Sequence, residues 1–284
     1  MATRARRPPQ RRPPPRRRRR RRSDTGARVL AALPGIAFAA IIVARGGTVF
    51  TLGLFIVGMV CMAELYRLTA RARPVPLAGY LALLGLLLAA RFGGQFQILL
   101  VLMAAVPATF LLLLARPYRE HAAWGMAITL LGILWIGGAL AHGVLLRELP
   151  HGGALVLDVL IGTFVGDTCA YFAGRAWGSR PLARTISPNK TVEGLIIGLI
   201  GGTLAFWGFQ VAYQQFMPGT HALIIGFAVA LAAPVGDLFE SLIKRDLQVK
   251  DTGRVFGAHG GALDRLDAVF FTVVTAYYVV IALS

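Results

Sequence analysis

Residues 221–243, HALIIGFAVALAAPVGDLFESLI, and residues 263–283, LDRLDAVFFTVVTAYYVVIAL, decide the fold. Each run is long and apolar enough to cross the roughly 30 Å of hydrocarbon in a bilayer, and each carries acids at one end only. Asp237, Glu240, Ser241 and Lys244 recur at i, i+3, i+4 and i+7, which puts them on one helix face. Asp264 and Asp267 stand at i, i+3 on the start of the second run, and residues 244–262 form the loop between the two. Carboxylates at membrane depth are costly and normally face a cavity, a partner or a metal. Opposed carboxylates with open oxygens are what a hard cation such as Mg2+ requires.

Working outward, the rest of the chain repeats the apolar theme. Runs near 28–45, 47–66, 76–90, 94–115, 122–146, 153–173 and 192–216 join the two above. The expected architecture is all-α: a polytopic membrane protein of about nine transmembrane helices. The chain is 56% hydrophobic and 15% charged, against about 25% charged in a typical soluble domain. A disordered chain and a disulfide scaffold are excluded, and Cys61 and Cys169 both lie inside apolar runs.

A net charge of +17 contradicts this greasy composition until its distribution is read. Twelve arginines and five prolines fall within residues 1–22, and without them eighteen basic residues face thirteen acidic ones. Residues 1–26 are expected to be a disordered Arg/Pro-rich cytoplasmic tail that leans on anionic headgroups. Nucleic-acid binding is not expected, because no aromatic residues interleave with the arginines. With the tail inside, the inner loops hold thirteen Lys and Arg and the outer loops hold three (Arg45, Arg91 and Arg147). That asymmetry predicts an N-terminus in the cytoplasm and a C-terminus outside. The division expected is tail 1–26, N-terminal helices 27–150 and a C-terminal catalytic region 151–284.

In the first five spans only Glu64 and His142 stand out, and each reads as snorkelling or as a satisfied interhelical hydrogen bond. The chemistry concentrates later. Eight of the thirteen acids lie between residues 167 and 267, together with all three lysines, Lys190, Lys244 and Lys250. The loop reads Lys244-Arg245, then Lys250-Asp251, then His259-Gly260-Gly261, then Asp264-Arg265-Leu266-Asp267. Bases closely mixed with acids suit a metal–polyphosphate complex, the carboxylates holding metal and the cations taking phosphate oxygens. Gly260 and Gly261 allow backbone N–H groups to approach an anion near a helix start. A second patch runs from Asp167 to Arg175 and from Ser187 to Gly194. In one reading Ser187 caps the following helix, with Pro188 near its first turn and Glu193 favoured by the helix dipole. In the other, Lys190 is a second phosphate ligand and Asp167 an organising acid.

At these residues the chain resembles the phosphatidate cytidylyltransferase (CDP-diacylglycerol synthase) family. The family signature Ser-x-x-Lys-Arg, four residues, Lys-Asp, then His-Gly-Gly-x-x-Asp-Arg-x-Asp is filled from Ser241 to Asp267. Its upstream elements, Asp-(Ser/Thr)-x-Ala-Tyr-x-x-Gly and Ser-Pro-x-Lys-Thr-x-Glu-Gly, match Asp167–Gly174 and Ser187–Gly194. The departures are Gly257-Ala258 where Pro-Gly is usual and Arg254 where Asn is common; both bear on loop conformation. The resemblance covers roughly residues 160–284 and implies the reaction of CTP with phosphatidate to give CDP-diacylglycerol and pyrophosphate. It implies Mg2+, a homodimer in the cell inner membrane, and an active site facing the cytoplasm. Asp237 and Asp264 become the expected metal ligands. Asp167, Ser187, Lys190, Thr191, Lys244, Lys250, Gly260 and Gly261 become expected substrate contacts. Ser241, Arg245, Asp251, His259, Arg265 and Asp267 would complete the catalytic set. The rivals are a CTP-dependent enzyme acting on an archaeol-type lipid phosphate and, further off, an anion transporter.

Overall fold

A computed structural model describes residues 25–117, 120–253 and 260–284. The arginine-rich expectation for the tail therefore lies outside the described residues, as do those for Arg119, Arg254, Gly257, Ala258 and His259. Every expected span is a helix: α1 (Thr25–Arg45), α2 (Gly47–Leu68), α3 (Pro76–Phe92), α4 (Gln95–Leu114), α5 (Ala122–Gly132) and α6 (Gly138–Glu148), then α7 (Gly152–Trp177), α8 (Val192–Phe209), α9 (Gly219–Asp246) and α10 (Leu263–Leu283). A π-helical turn, Ile133–Gly137, fuses α5 and α6 into one rod, and another, Gln210–Gln214, extends α8. Seven of these rods are long and apolar enough to cross a membrane; Leu33–Arg45 and Pro76–Phe92 are apolar but shorter. At about 1.5 Å per residue, a helix of the length of α3 falls slightly short of the hydrocarbon thickness.

Contacts at the two ends fix the alternation of helix directions. At one end Arg91 pairs with Glu148 at 3.2 Å, and Arg147 Nε donates to the Val43 carbonyl at 3.0 Å. At the other, the Arg116 guanidinium donates to the carbonyls of Arg73 and Pro74 at 3.0 and 2.9 Å. The α5–α6 rod runs through the middle of the bundle, 72% buried, and packs Leu140, Val144 and Leu146 against α2, α3 and α10. His142 lies on this rod with both ring nitrogens satisfied, as expected. Its Nδ1–H donates to the Gly138 carbonyl at 2.8 Å, and Nε2 accepts from the Tyr278 hydroxyl at 3.0 Å.

The tightest helix pair, α7 with α8, flanks the segment that forms one wall of the site. Gly194, Gly198, Gly202 and Phe206 recur every fourth residue on the buried face of α8. They meet Gly162, Gly166 and Ala170 at the same spacing on α7. A Cβ on Gly202 would stand 2.8 Å from the Gly162 carbonyl oxygen, so only glycine allows this approach. Helices in lipid associate through such close contacts, since hydrocarbon offers no hydrophobic drive between them. Gly202→Ala is expected to destabilise the protein by about 1–3 kcal/mol, seen as a lower thermal midpoint in detergent. Gly208→Ala, at a position with nothing within 4 Å, leaves that midpoint unchanged.

One expectation fails between α7 and α8. Residues 181–191 are not a helix start but a two-stranded antiparallel hairpin, β1 (Pro181–Ala183) and β2 (Ser187–Thr191), with Pro181 opposite Thr191 and Ala183 opposite Ser187. Ser187 is thus not a cap and Pro188 is not in a first helical turn. Pro188 lacks the N–H that an interior strand would need, and a two-stranded ribbon tolerates that loss. The cap is Thr191, whose hydroxyl accepts from the Gly194 N–H at 3.1 Å. Glu193 is in the first turn, as the dipole favours, but its carboxylate reaches back to the Ser179 N–H, the Ser179 hydroxyl and the Arg180 N–H at 2.8–3.2 Å. It holds the hairpin to the helix end.

Candidate active site

The ends of α2, α7 and α9, the start of α10 and the hairpin converge at one end of the bundle. Lys244, on the last turns of α9, bonds Glu240 one turn back and the Asp264 Oδ1 on α10 at 3.0 Å. Glu240 is 1% exposed, and its carboxyl also meets Asp267. One ammonium therefore ties two acids from two helices, the antiparallel arrangement that the spacing implied.

Asp264 is the knot of the loop. Its oxygens accept the Thr252 N–H at 2.9 and 3.1 Å and the Gly261 N–H at 2.7 Å, besides the Lys244 bond. Gly260 has φ +85° and presses against this carboxylate, where a Cβ would lie 2.5 Å from Oδ2. At the two glycines expected to contact a substrate phosphate, the Gly261 N–H serves the protein's own Asp264.

The hairpin supplies the other wall. Lys190 on β2 pairs with Asp237 Oδ2 at 2.5 Å, and the Ser241 hydroxyl donates to Asp237 Oδ1 at 3.3 Å. Arg245 Nε donates to the Ile186 carbonyl at 3.0 Å, so the hairpin is fastened to α9 at two points. Asp167 on α7 is within electrostatic reach of Asp237, Asp267 and Lys190. Ser187 and Thr191 serve the hairpin and the α8 cap, while Lys250, Asp251 and Arg265 are exposed around the rim.

The residue that sequence reasoning undervalued is Glu64. It is 3% exposed on α2 and accepts the Ala262 N–H at 3.1 Å, the Leu263 N–H at 2.9 Å and the Thr252 hydroxyl at 3.4 Å. It caps α10 from the opposite half of the chain, so the satisfied-hydrogen-bond reading holds and the snorkelling one does not. A carboxylate alone at a span end was the only available signal.

Five acids (Asp167, Asp237, Glu240, Asp264 and Asp267) thus crowd around Lys190 and Lys244. Among the described residues no three acids or histidines form a ready-made metal cage. Mg2+ rarely uses one: it takes one or two carboxylates and completes its shell with phosphate oxygens and water. Asp237, with its side chain 35% exposed and other carboxylates nearby, suits that role. Asp264 can share it only by dividing an oxygen with Lys244.

Comparison with known proteins shows the family. A model described as the cytidylyltransferase family matches residues 26–283. A phosphatidate cytidylyltransferase of Bacillus subtilis is 28% identical over 277 residues, 92% of this chain and 99% of that protein. One from Aquifex aeolicus is 38% identical over 130 residues, 45% of this chain and 47% of the relative. Another from Helicobacter pylori is 38% identical over 122 residues, 42% and 44% of the two chains. The last two alignments span less than half the length of the relatives. With a family match that covers residues 26–283, the chain belongs to the cytidylyltransferase family.

Proposed function

We propose that the protein is a phosphatidate cytidylyltransferase, transferring CMP from CTP to phosphatidate to give CDP-diacylglycerol and pyrophosphate. The observation that carries the reading is the convergence of Lys190, Lys244 and the five acids at one end of a helix bundle. Such a site meets a water-borne nucleotide on one side and a lipid phosphate in the adjoining leaflet on the other. The positive-inside distribution supports nine spans with this end in the cytoplasm, at the inner membrane. The homodimer implied by the resemblance has surface for it on α4 and α8, whose spans are each only 22% buried.

The reaction is an in-line displacement: a phosphatidate oxygen forms a bond to the α-phosphorus of CTP, and the bond to pyrophosphate breaks. The attacking phosphate is already ionised at neutral pH, so no general base is required. Both reactants are anions, and the barrier is chiefly charge crowding and alignment. Lys190 and Lys244 take phosphate oxygens by exchanging partners with Asp237 and Asp264. Arg245 keeps the hairpin, and with it Lys190, in place. Lys250 and Arg265 on the rim extend the positive surface toward the triphosphate and the lipid headgroup. Bound Mg2+, held by Asp237 with Asp264, would neutralise charge that develops on the transferring and leaving phosphates.

The test is direct. Purified protein given CTP, Mg2+ and phosphatidate in mixed micelles is expected to release pyrophosphate and form CDP-diacylglycerol, and to do neither without lipid or with chelator. Absence of CTP turnover with phosphatidate would overturn the assignment.

A further inference from the structure

We infer that Glu64 is a positioning residue of the active site, a role that rests on the activity proposed above. The start of a helix is a natural anion site, because its first N–H groups lack intrahelical partners and the dipole is positive there. In α10 that site is filled from within. Gly261 N–H serves Asp264, while Ala262 and Leu263 N–H serve Glu64. A substrate phosphate is thereby denied the helix end and directed to the lysine side chains.

Glu64 is also fixed in space. Its neighbour Leu65 and Cys61 one turn back are fully buried, so α2 cannot shift without disturbing the core. The loop is moulded to its carboxylate. Gly253 and Gly261 both press on the two oxygens so closely that neither position admits a Cβ without displacement. Thr252 joins the two acids, giving its hydroxyl to Glu64 and its N–H to Asp264. Glu64 therefore sets the height and rotation of the first turn of α10. That turn carries Asp264, which faces Lys244, and Asp267, which faces Glu240. The carboxylate acts on the reaction through these residues and need not touch substrate.

A neutral isostere separates this role from packing. Glu64→Gln fills the same volume but turns an NH2 group toward backbone donors. In the full-length protein it is expected to lower kcat/KM for CTP at least thirtyfold while KM for phosphatidate stays within twofold. Glu64→Asp, which keeps the charge, is expected to fall between Gln and wild type. Amide hydrogen exchange at residues 261–263 should quicken at least tenfold in Glu64→Gln, a readout that needs no turnover. Gly253→Ala provides a second route: it should cost at least tenfold in kcat/KM alone, and less than twofold more when added to Glu64→Ala, where the space is free. Kinetics within twofold of wild type in Glu64→Gln, unchanged exchange, or additive losses in the Gly253 cycle would each overturn the inference. A wild-type protein that does not turn over CTP would instead overturn the activity, and the exchange experiment would still judge Glu64.

Discussion

Asp237→Asn is expected to lower kcat by about 10²–10³-fold and to raise the Mg2+ concentration for half-maximal activity at least tenfold. Asparagine has the same shape and can still accept the Ser241 hydroxyl, so the change is one of charge. Two consequences follow from that charge. Lys190 loses the partner that aims it from the hairpin, at 2.5 Å. A hard cation loses a carboxylate ligand, and removal of one preorganised charge-stabilising group typically costs about 2.7–4 kcal/mol at the transition state. The fold should survive, because the pair is part-exposed and such ion pairs contribute little to stability, about 0–1 kcal/mol. Lys190→Met separates the two consequences: it breaks the same ion pair but leaves the carboxylate, so the Mg2+ requirement should stay near that of wild type. Full activity in Asp237→Asn, or an equal shift in Mg2+ requirement for both variants, would remove Asp237 from the metal site.

The second large effect is expected at Lys244, and it is one of stability as well as rate. The ammonium is the counter-ion of Glu240, 1% exposed, and of Asp264, whose side chain is 10% exposed. Methionine retains the length of the chain but strands two carboxylates. Removing one partner from a buried pair costs about 3–5 kcal/mol, a large part of the 5–15 kcal/mol that holds an ordinary domain folded. Lys244→Met should therefore lower the thermal midpoint sharply and abolish turnover. The double variant Lys244→Met/Glu240→Gln tests the cause. Neutralising Glu240 should restore most of the stability and none of the activity, because the charge toward the phosphates is still missing. If the double variant is as unstable as the single one, the stranded carboxylate is not the reason.

Much of this architecture is legible in the letters because hydrophobicity is a local property. The run at 263–283 is the helix Leu263–Leu283, and that at 47–66 is Gly47–Leu68. The facing acids of α9 and α10 follow from helical spacing, and Lys244 confirms it by bridging them. The hairpin is not legible in the same way. Its strands are three and five residues long, too short to display alternation, and Ser187 followed by Pro188 imitates the opening of a helix. The glycines at 260 and 261 pose another kind of ambiguity. Spacing says that an anion sits near them, but not whether the anion belongs to a substrate or to Asp264. Glu64 was the least visible of all, since its partners are backbone N–H groups, which have no letter in the sequence.

The distance along the chain between Glu64 and those N–H groups gives the protein a clock. Glu64 and the Ala262 amide lie 198 residues apart. At ribosomal speeds of about 5–20 residues per second, α2 emerges roughly 10–40 s before α10 can receive its cap. During that interval the bundle gathers with one carboxylate lacking its partners and with a loop not yet made. Closure of the active site by Glu64 therefore waits until residues 262 and 263 have been made, late in synthesis relative to α2.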